Sequence, residues 1–227
     1  MSCLEYVLEE HAVVPPERGV FLGTTFRMHP ELTRFVLDAV YAGALESDPS
    51  CAAQRLVRGE GAHAALKPHG LSFVEVLHKG CSQESEAEAD LIAEFVDNLL
   101  ASRVVDREGT ERAMTLNDVL VVAPYNVQVN RLIERLPNGA RVGTVDKFQG
   151  QGAEAVIVSM TTSDAEHMPR DASFLLSRNR LNVAVSRARC LAVVVASPDL
   201  LDLDVGTVEE MRLANLLCWT ASEGRVA

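Results

Sequence analysis

The sequence predicts a three-layer α/β domain built on a parallel sheet. Val119–Ala123, Ala155–Met160 and Leu191–Ala196 are short apolar runs without polar alternation, which is how strands buried on both faces read. Segments of helical periodicity stand between such runs, and strands alternating with helices imply a parallel sheet covered on both sides. With 227 residues, 48% of them hydrophobic, the chain is long enough to enclose one sizeable core.

Leu4–Val14 has the pattern of a short helix, ended by Pro15 and Pro16, and Gly19–Gly23 (GVFLG) reads as a brief strand. A helix is expected to begin just after Arg27-Met28-His29, because Pro30 suits a first turn and Leu32, Phe35, Val36 and Ala39 form an apolar stripe. Arg27 then stands between a strand and a helix, a place where α/β sheets gather ligands. Residues 46–70 lack periodicity and are punctuated by Pro49, Gly59, Gly61, Pro68 and Gly70, so an irregular connection is expected. Leu71–Leu77 reads as a strand. Glu84–Leu100 reads as an amphipathic helix with Ala87, Leu91, Phe95 and Leu99 inward and its acids solvated.

The strand Val119–Ala123 is followed by a loop and helix, PYNVQVNRLIERL, which put Tyr125, Asn126 and Gln128 at the strand's carboxyl end. A tyrosine followed by amides suits stacking on a base and bonding it, and equally suits loop and cap chemistry. Val142–Val145 is expected as a strand and Asp146–Gly150 as a tight turn, with Gly150 allowing close backbone approach to a ligand. Ser163–Ser173 is polar and reads as a surface loop. In Arg178–Ser197, Leu181, Ala184, Val185 and Ala188 make a helical stripe; Asn182, Ser186 and Arg189 share another face, and Arg180 and Arg187 project from nearly the same side. Guanidinium groups so held suit polyphosphate, because the planar fork bonds phosphate oxygens and keeps its charge. A last helix is placed at 207–219, with Met211, Leu213, Ala214 and Leu217 for packing.

The formal charge of −11 argues against wholesale binding of a phosphate backbone. Its distribution qualifies that, since Arg170–Arg189 holds five arginines and one acid, a local basic strip on an acidic body. The five cysteines are scattered without a C-x-x-C pair, which points to a reduced, cytoplasmic protein without a metal site of its own. No apolar run approaches the roughly 20 residues that span a bilayer, and the first residues carry no basic segment of a signal peptide.

Several of these stretches resemble one family. RLNVAVSRAR (181–189 with Arg180) resembles motif VI of the superfamily 1 helicases, in the branch that holds the RNA helicase of nonsense-mediated decay and the replication nuclease-helicase. FRMHPEL with VYAGAL is similar to that branch's Y-R-M-H-P … F-Y-x-G-x-L block, Phe26 keeping the aromatic ring of the usual tyrosine. VVAPYNVQV looks like the block between motifs IV and V, and ten consecutive residues, Val142–Gln151, fit motif V. The resemblance covers the chain from about Phe21 onward. It implies the second RecA-like motor domain, with Arg187 as arginine finger on the ATP γ-phosphate and Arg27 as a second phosphate contact. It further implies Thr144 on the phosphates of single-stranded DNA or RNA, joined there by Tyr125, Asn126 and Gln128, and Asp146, Gln149, Gly150 and Arg189 on the nucleotide side. LAVVVASPDL and the final helix are similar to a narrower bacterial group that carries a RecB-like nuclease domain ahead of the motor.

Two features depart from the pattern. Gly152 stands where the family has a glutamate credited with binding the ribose, and the next acid, Glu154, comes two positions late. No G-x-x-x-x-G-K-[ST] phosphate loop and no D-E box for magnesium occur. The resemblance therefore implies a C-terminal fragment whose ATP and Mg2+ are held mainly by an N-terminal RecA-like domain of the same polypeptide. The alternative is a RecA-like interaction module that has lost catalysis.

Overall fold

The computed structural model describes residues 14–15, 17–40, 43–148, 150–169, 178–203 and 207–225. The first half contains β1 (Thr24–Thr25), α1 (Pro30–Val40), β2 (Glu46–Ser47), β3 (Arg55–Val57), β4 (Gly70–Glu75), α2 (Glu86–Leu100), β5 (Arg103–Val105) and β6 (Glu111–Ala113). The second contains β7 (Val119–Val122), α3 (Asn126–Arg135), β8 (Arg141–Gly143), β9 (Ala153–Ser159), α4 (Arg178–Val185), β10 (Ala188–Ala196) and α5 (Val208–Gly224). Five strands form the central sheet in the order β4-β10-β9-β7-β8, every neighbouring pair parallel. This is the three-layer α/β arrangement that the alternation of elements predicts, consistent with the RecA-like form that the resemblance implies.

Strand alternation explains the two layers of helix. Leu120, Val122, Val156, Val158, Ala192 and Val194 share one face and pack with Leu32 and Phe35 of α1, Leu181 and Val185 of α4, and Leu217 of α5. Val119, Val121, Ala155, Ile157, Leu191 and Val193 share the other face, under Ile92 and Phe95 of α2 and Val129 and Leu132 of α3. Neither face of the central strands is left for water, which is why those strands read as unbroken apolar runs. No helix among the described residues is long and apolar enough to cross a membrane.

Several expectations are corrected. Leu4–Val14 lies almost wholly outside the described residues. The brief strand falls at Thr24–Thr25, paired with Glu46–Ser47, and 19–23 has none. Residues 46–70, expected as irregular, hold β2, a 3-10 turn at Pro49–Ala53 and β3. The last of these joins β5 and β6 in a separate antiparallel sheet of order β3-β5-β6. Strand β10 starts at Ala188, three residues before its apolar run, because Ala188 pairs with Ala153 ahead of a bulge. That puts Arg189 in a strand and not on the helix face. The C-terminal helix runs on to Gly224, with Met211 half exposed (50%) while Leu213 and Leu217 are buried.

The helix α2 buries Ile92, Phe95, Val96 and Leu99 as an amphipathic pattern should, but Ala87 and Leu91 are only partly covered and Glu88 is fully buried. Its carboxylate accepts from the Thr161 backbone N–H (2.9 and 3.0 Å), the Ser159 hydroxyl and His78 Nε2 (3.0 Å). Ser159 also accepts from Gln128 Nε2 (3.1 Å), whose amide closes on the backbone of Ser85 through bonds of 2.8 and 3.1 Å. An acid so enclosed is tolerated because each lone pair finds a donor. Thr161 holds a φ of +71°, a conformation unusual for a β-branched residue, and the two bonds to Glu88 pin it there. The start of the supposed polar loop is therefore core, with Thr161, Thr162 and Ser163 wholly buried. Gln128→Ala should lower stability by about 2–3 kcal/mol in urea unfolding, since it leaves buried donors and acceptors unpaired. Asn126→Ala, at the exposed start of the same helix, should stay within about 0.5 kcal/mol.

Candidate functional site

Arg27 lies in the turn joining β1 to α1, and that turn is tied down from three sides. The Arg27 carbonyl accepts from Gln54 Nε2 (3.0 Å), the Met28 carbonyl from Ser47 Oγ (2.8 Å), and the His29 N–H donates to the carbonyl of Arg189 (2.8 Å). The Arg27 guanidinium donates to the carbonyl of Ser186 (3.3 Å), just past the last turn of α4, where unpaired carbonyls and the helix dipole favour a cation. Arg187 follows directly. Its N–H donates to Ala184 O (3.2 Å) and its carbonyl accepts from the Ala153 N–H (3.0 Å), so its backbone is fixed between the end of α4 and the start of β9.

Gly152 completes the group. A Cβ there would stand 3.3 Å from the Arg187 carbonyl and 3.6 Å from Arg27 Nε. Three residues far apart in the chain, Arg27, Gly152 and Arg187, thus meet at one point. They meet at the amino-terminal ends of β9 and β10, and not at a carboxyl edge as the strand-to-helix position of Arg27 suggests. The reason is that the strand ahead of Arg27 belongs to the small β1–β2 pair and not to the central sheet.

Arg189, half exposed, donates to Glu154 Oε1 (2.8 Å), which also accepts from Arg112 Nη2 (3.2 Å). Glu154 is 3% exposed, so the acid two positions late is locked between two guanidinium groups and not offered to solvent. Burial and then Glu154 push the adjacent Cys190 thiol up, which makes that cysteine a packing residue and not a nucleophile. A cleft of about 530 Å³ opens beside the group, bordered by Thr24, Phe26, Arg27, Ser186 and Arg189.

The other expected residues divide. Thr144 follows β8 and is partly exposed, Asn126 opens α3 and is exposed, and both stand at the carboxyl edge of the sheet. The length of β9, roughly 20 Å by strand geometry, separates that edge from Arg187. Tyr125 and Gln128, expected as ligand contacts there, are buried (7% and 0% exposed), and the Gln128 amide is engaged by Ser85 and Ser159. The Tyr125 ring packs in the apolar core without a side-chain cap bond, and the Gln128 amide ties α3 to Ser85 and to β9, so both differ from the expected ligand contacts and from local cap chemistry. Asp146 is exposed and 3.8 Å from Arg180, on the crossover from β8 to β9. Gly150 is exposed with a φ of +78°, the backbone freedom expected of it, and Gln149 lies outside the described residues. Sequence reasoning overlooked Arg112 as the second partner of Glu154, and nothing in the spacing of those residues signals it.

Residues 1–199 match the family AAA_12, whose members are described as an AAA domain. The chain belongs to this AAA domain family. The AAA domain is 29% identical over 209 residues to DNA-binding protein SMUBP-2 of Rattus norvegicus, covering 86% of this chain and 19% of that protein. It is 26% identical over 210 residues to the DNA polymerase alpha-associated DNA helicase A of Saccharomyces cerevisiae, covering 82% and 29%. To the putative helicase mov-10-B.1 of Danio rerio it is 30% identical over 133 residues, 52% of this chain and 13% of the relative. The chain thus spans less than a third of the length of each of these curated relatives. Their names support the superfamily 1 helicase motor domain that the motifs imply, and none of them bears on a RecB-like nuclease.

Within the AAA domain, one group of metal-ligating side chains comes within 4.8 Å among the described residues: His29, Glu31 and His69. The two imidazoles stack at 4.0 Å and 13°, so their in-plane lone pairs do not converge on one ion. His29 Nδ1 accepts from the Glu31 N–H (3.2 Å) and the ring also bonds the Ala52 backbone, which makes His29 a satisfied packing residue. Burial, and then His69, hold its pKa down at about 4. The unfolded chain therefore takes up a proton near pH 6.5 that the native ring refuses until about pH 4, and stability falls across that window on acidification. Between pH 6.5 and 5 this contributes roughly 1–2 kcal/mol, and His29→Gln should flatten that part of the unfolding free energy measured in urea.

Proposed function

We propose that this AAA domain is one half of an ATP-driven helicase or translocase motor. In this reading Arg27 and Arg187 reach the γ-phosphate of an ATP bound mainly by a second RecA-like domain, and the carboxyl edge bearing Thr144 and Asn126 faces single-stranded DNA. The observation that carries it is the convergence of Arg27, Gly152 and Arg187 on one sheet edge, with no acid paired to Arg27 among the described residues. Relatives named as helicases and as DNA-binding proteins support the same reading. Phe26, 60% exposed at the mouth of the cleft, offers a ring face to the nucleotide. Glu154, two positions after Gly152, is engaged by two arginines, so in this reading the Mg2+ that accompanies ATP would be held by the other domain, where it would supply charge neutralisation at the phosphates.

The division of labour follows from charge. An arginine that meets the γ-phosphate only when two domains close stabilises charge developing in the transition state and adds little to ground-state binding. Arg187→Ala in the intact protein should therefore lower DNA-stimulated kcat by about a hundredfold or more with a modest shift in ATP affinity. Arg187→Lys should rescue little, because an ammonium lacks the two-pronged geometry. Arg189→Ala is no neutral control, since it strips a partner from the buried Glu154; Arg135→Ala, on an exposed pair with Asp90, is the proper one. An Arg187→Ala rate above half that of the unaltered protein would remove the finger from the reading.

The rival is an interaction module without catalysis, favoured by the glycine at 152 and by the lack of a phosphate loop in these residues. The chain by itself should bind single-stranded oligonucleotide weakly and show no ATP hydrolysis above buffer, with or without DNA. Hydrolysis that co-purifies with the chain and vanishes in Arg187→Ala would refute the shared-site arrangement. An intact protein that turns over no ATP on any nucleic acid would leave the interaction module standing, and RNA stimulation exceeding that by DNA would reassign the strand.

A further inference from the structure

The stretch Val142–Gln151 passes Thr144 at the carboxyl edge of the sheet and comes back to the amino edge, where β9 begins at Ala153. Its return is held by the side chain that stands just before it. Arg141 Nη2 donates to Gln151 Oε1 (2.7 Å). Arg141 Nη1 donates to the carbonyl of Asn117 (2.6 Å), in the short turn ahead of β7, and reaches the carbonyl of Gly152 (3.5 Å). One planar guanidinium thus joins three segments: the start of β8, the approach to β7 and the approach to β9.

The Gly152 carbonyl and the Ala153 N–H belong to one peptide unit, which is rigid, so a tilt at one end is a tilt at the other. The N–H of this unit donates to the carbonyl of Arg187 (3.0 Å), while its carbonyl faces the Arg141 guanidinium. The unit is therefore held between two arginines, by the backbone of one and the side chain of the other. Two carbonyls and an amide oxygen are neutral acceptors, and among the described residues no acid pairs with Arg141. Such partners fix the place of a guanidinium through the geometry of its fork and not through the attraction of an opposite charge.

We propose that Arg141 is a positioning residue for the arginine finger. Through the Gly152–Ala153 peptide it fixes the backbone of Arg187, and through Gln151 it fixes the return of the segment that carries Thr144. This rests on the motor reading above and deepens it, since Arg141 meets no phosphate in this role and acts on the reaction through Arg187. A displacement of about 1 Å at a reacting centre costs up to roughly 10²-fold in rate, so a clasp on the finger's backbone is enough to be felt in kcat.

The test is a double-mutant cycle in the intact protein, read as DNA-stimulated kcat and KM for ATP. Arg141→Ala alone should lower kcat by about tenfold and leave KM within about twofold. In an Arg187→Ala background the same change should lower kcat by less than about twofold, because the group it positions is gone. Arg141→Lys should recover little, since an ammonium has no fork to span Gln151 and two carbonyls. Gln151 is exposed, so Gln151→Ala tests the same clasp if Arg141→Ala does not fold. It should lower kcat by about threefold and lose that effect in the Arg187→Ala background. Losses that multiply in the double variants, full recovery by lysine, or a kcat unchanged by the single variants would overturn the proposal and leave the motor reading standing. If Arg187→Ala itself kept the full rate, the finger would fail and this inference with it.

Discussion

The parallel pairing of β9 with β10 is the constraint on which the site depends. Its register, Ala153 against Ala188 and Ile157 against Val193, sets the start of one strand beside the start of the other. Residues just ahead of each start, Gly152 and Arg187, are then neighbours whatever lies between them in the chain, and the Ala153 N–H bond to the Arg187 carbonyl closes the contact. Because the backbone ladder holds this geometry, the arginine is positioned by groups that cannot be exchanged by mutation. The apolar residues on both faces of the two strands exclude water and keep the ladder from sliding, since a one-residue slip would invert every side chain.

The same sheet separates two kinds of chemistry by the length of a strand. The β8–β9 connection runs from the carboxyl edge, at Thr144, to the amino edge, at Gly152, without a long helix between. One short segment thus borders both the edge proposed for nucleic acid and the edge proposed for nucleotide. The two edges are therefore joined by a short covalent path through this one connection. At the carboxyl end, Glu88 and its partners stiffen the exit of β9, so that Thr161 keeps a strained backbone angle.

Charge is managed locally in a chain whose total is −11. Glu86, Asp90, Glu94 and Asp97 line the exposed face of α2, while Glu154 is turned inward to hold Arg189 and Arg112. Among the described residues the Arg27 guanidinium has a backbone carbonyl and no acid as its partner, so the edge that carries it keeps a positive character that the formal charge of the whole chain conceals.

How much of this the sequence decides depends on the range of the forces involved. The central strands, the helix from Pro30, the helix from Arg178 and the three-layer class were legible, because hydrophobic periodicity is local and the middle of β7, β9 and β10 is an unbroken apolar run. That Arg27 and Arg187 come near each other was expected from the motifs that resemble the family's, and the structure brings both beside Gly152. What escaped was set by long-range pairing. The antiparallel β3-β5-β6 sheet has strands of three residues, too short for a pattern. The burial of Glu88 and Gln128 depends on partners supplied from other elements, that of Tyr125 on the apolar core around it, and the capture of Glu154 by Arg112 joins positions 42 residues apart. The sequence by itself determined which segments are strand and helix and which residues carry charge; the tertiary structure decided which edge the arginines share and which polar side chains are scaffold, because hydrogen bonds and ion pairs are satisfied in space and not along the chain.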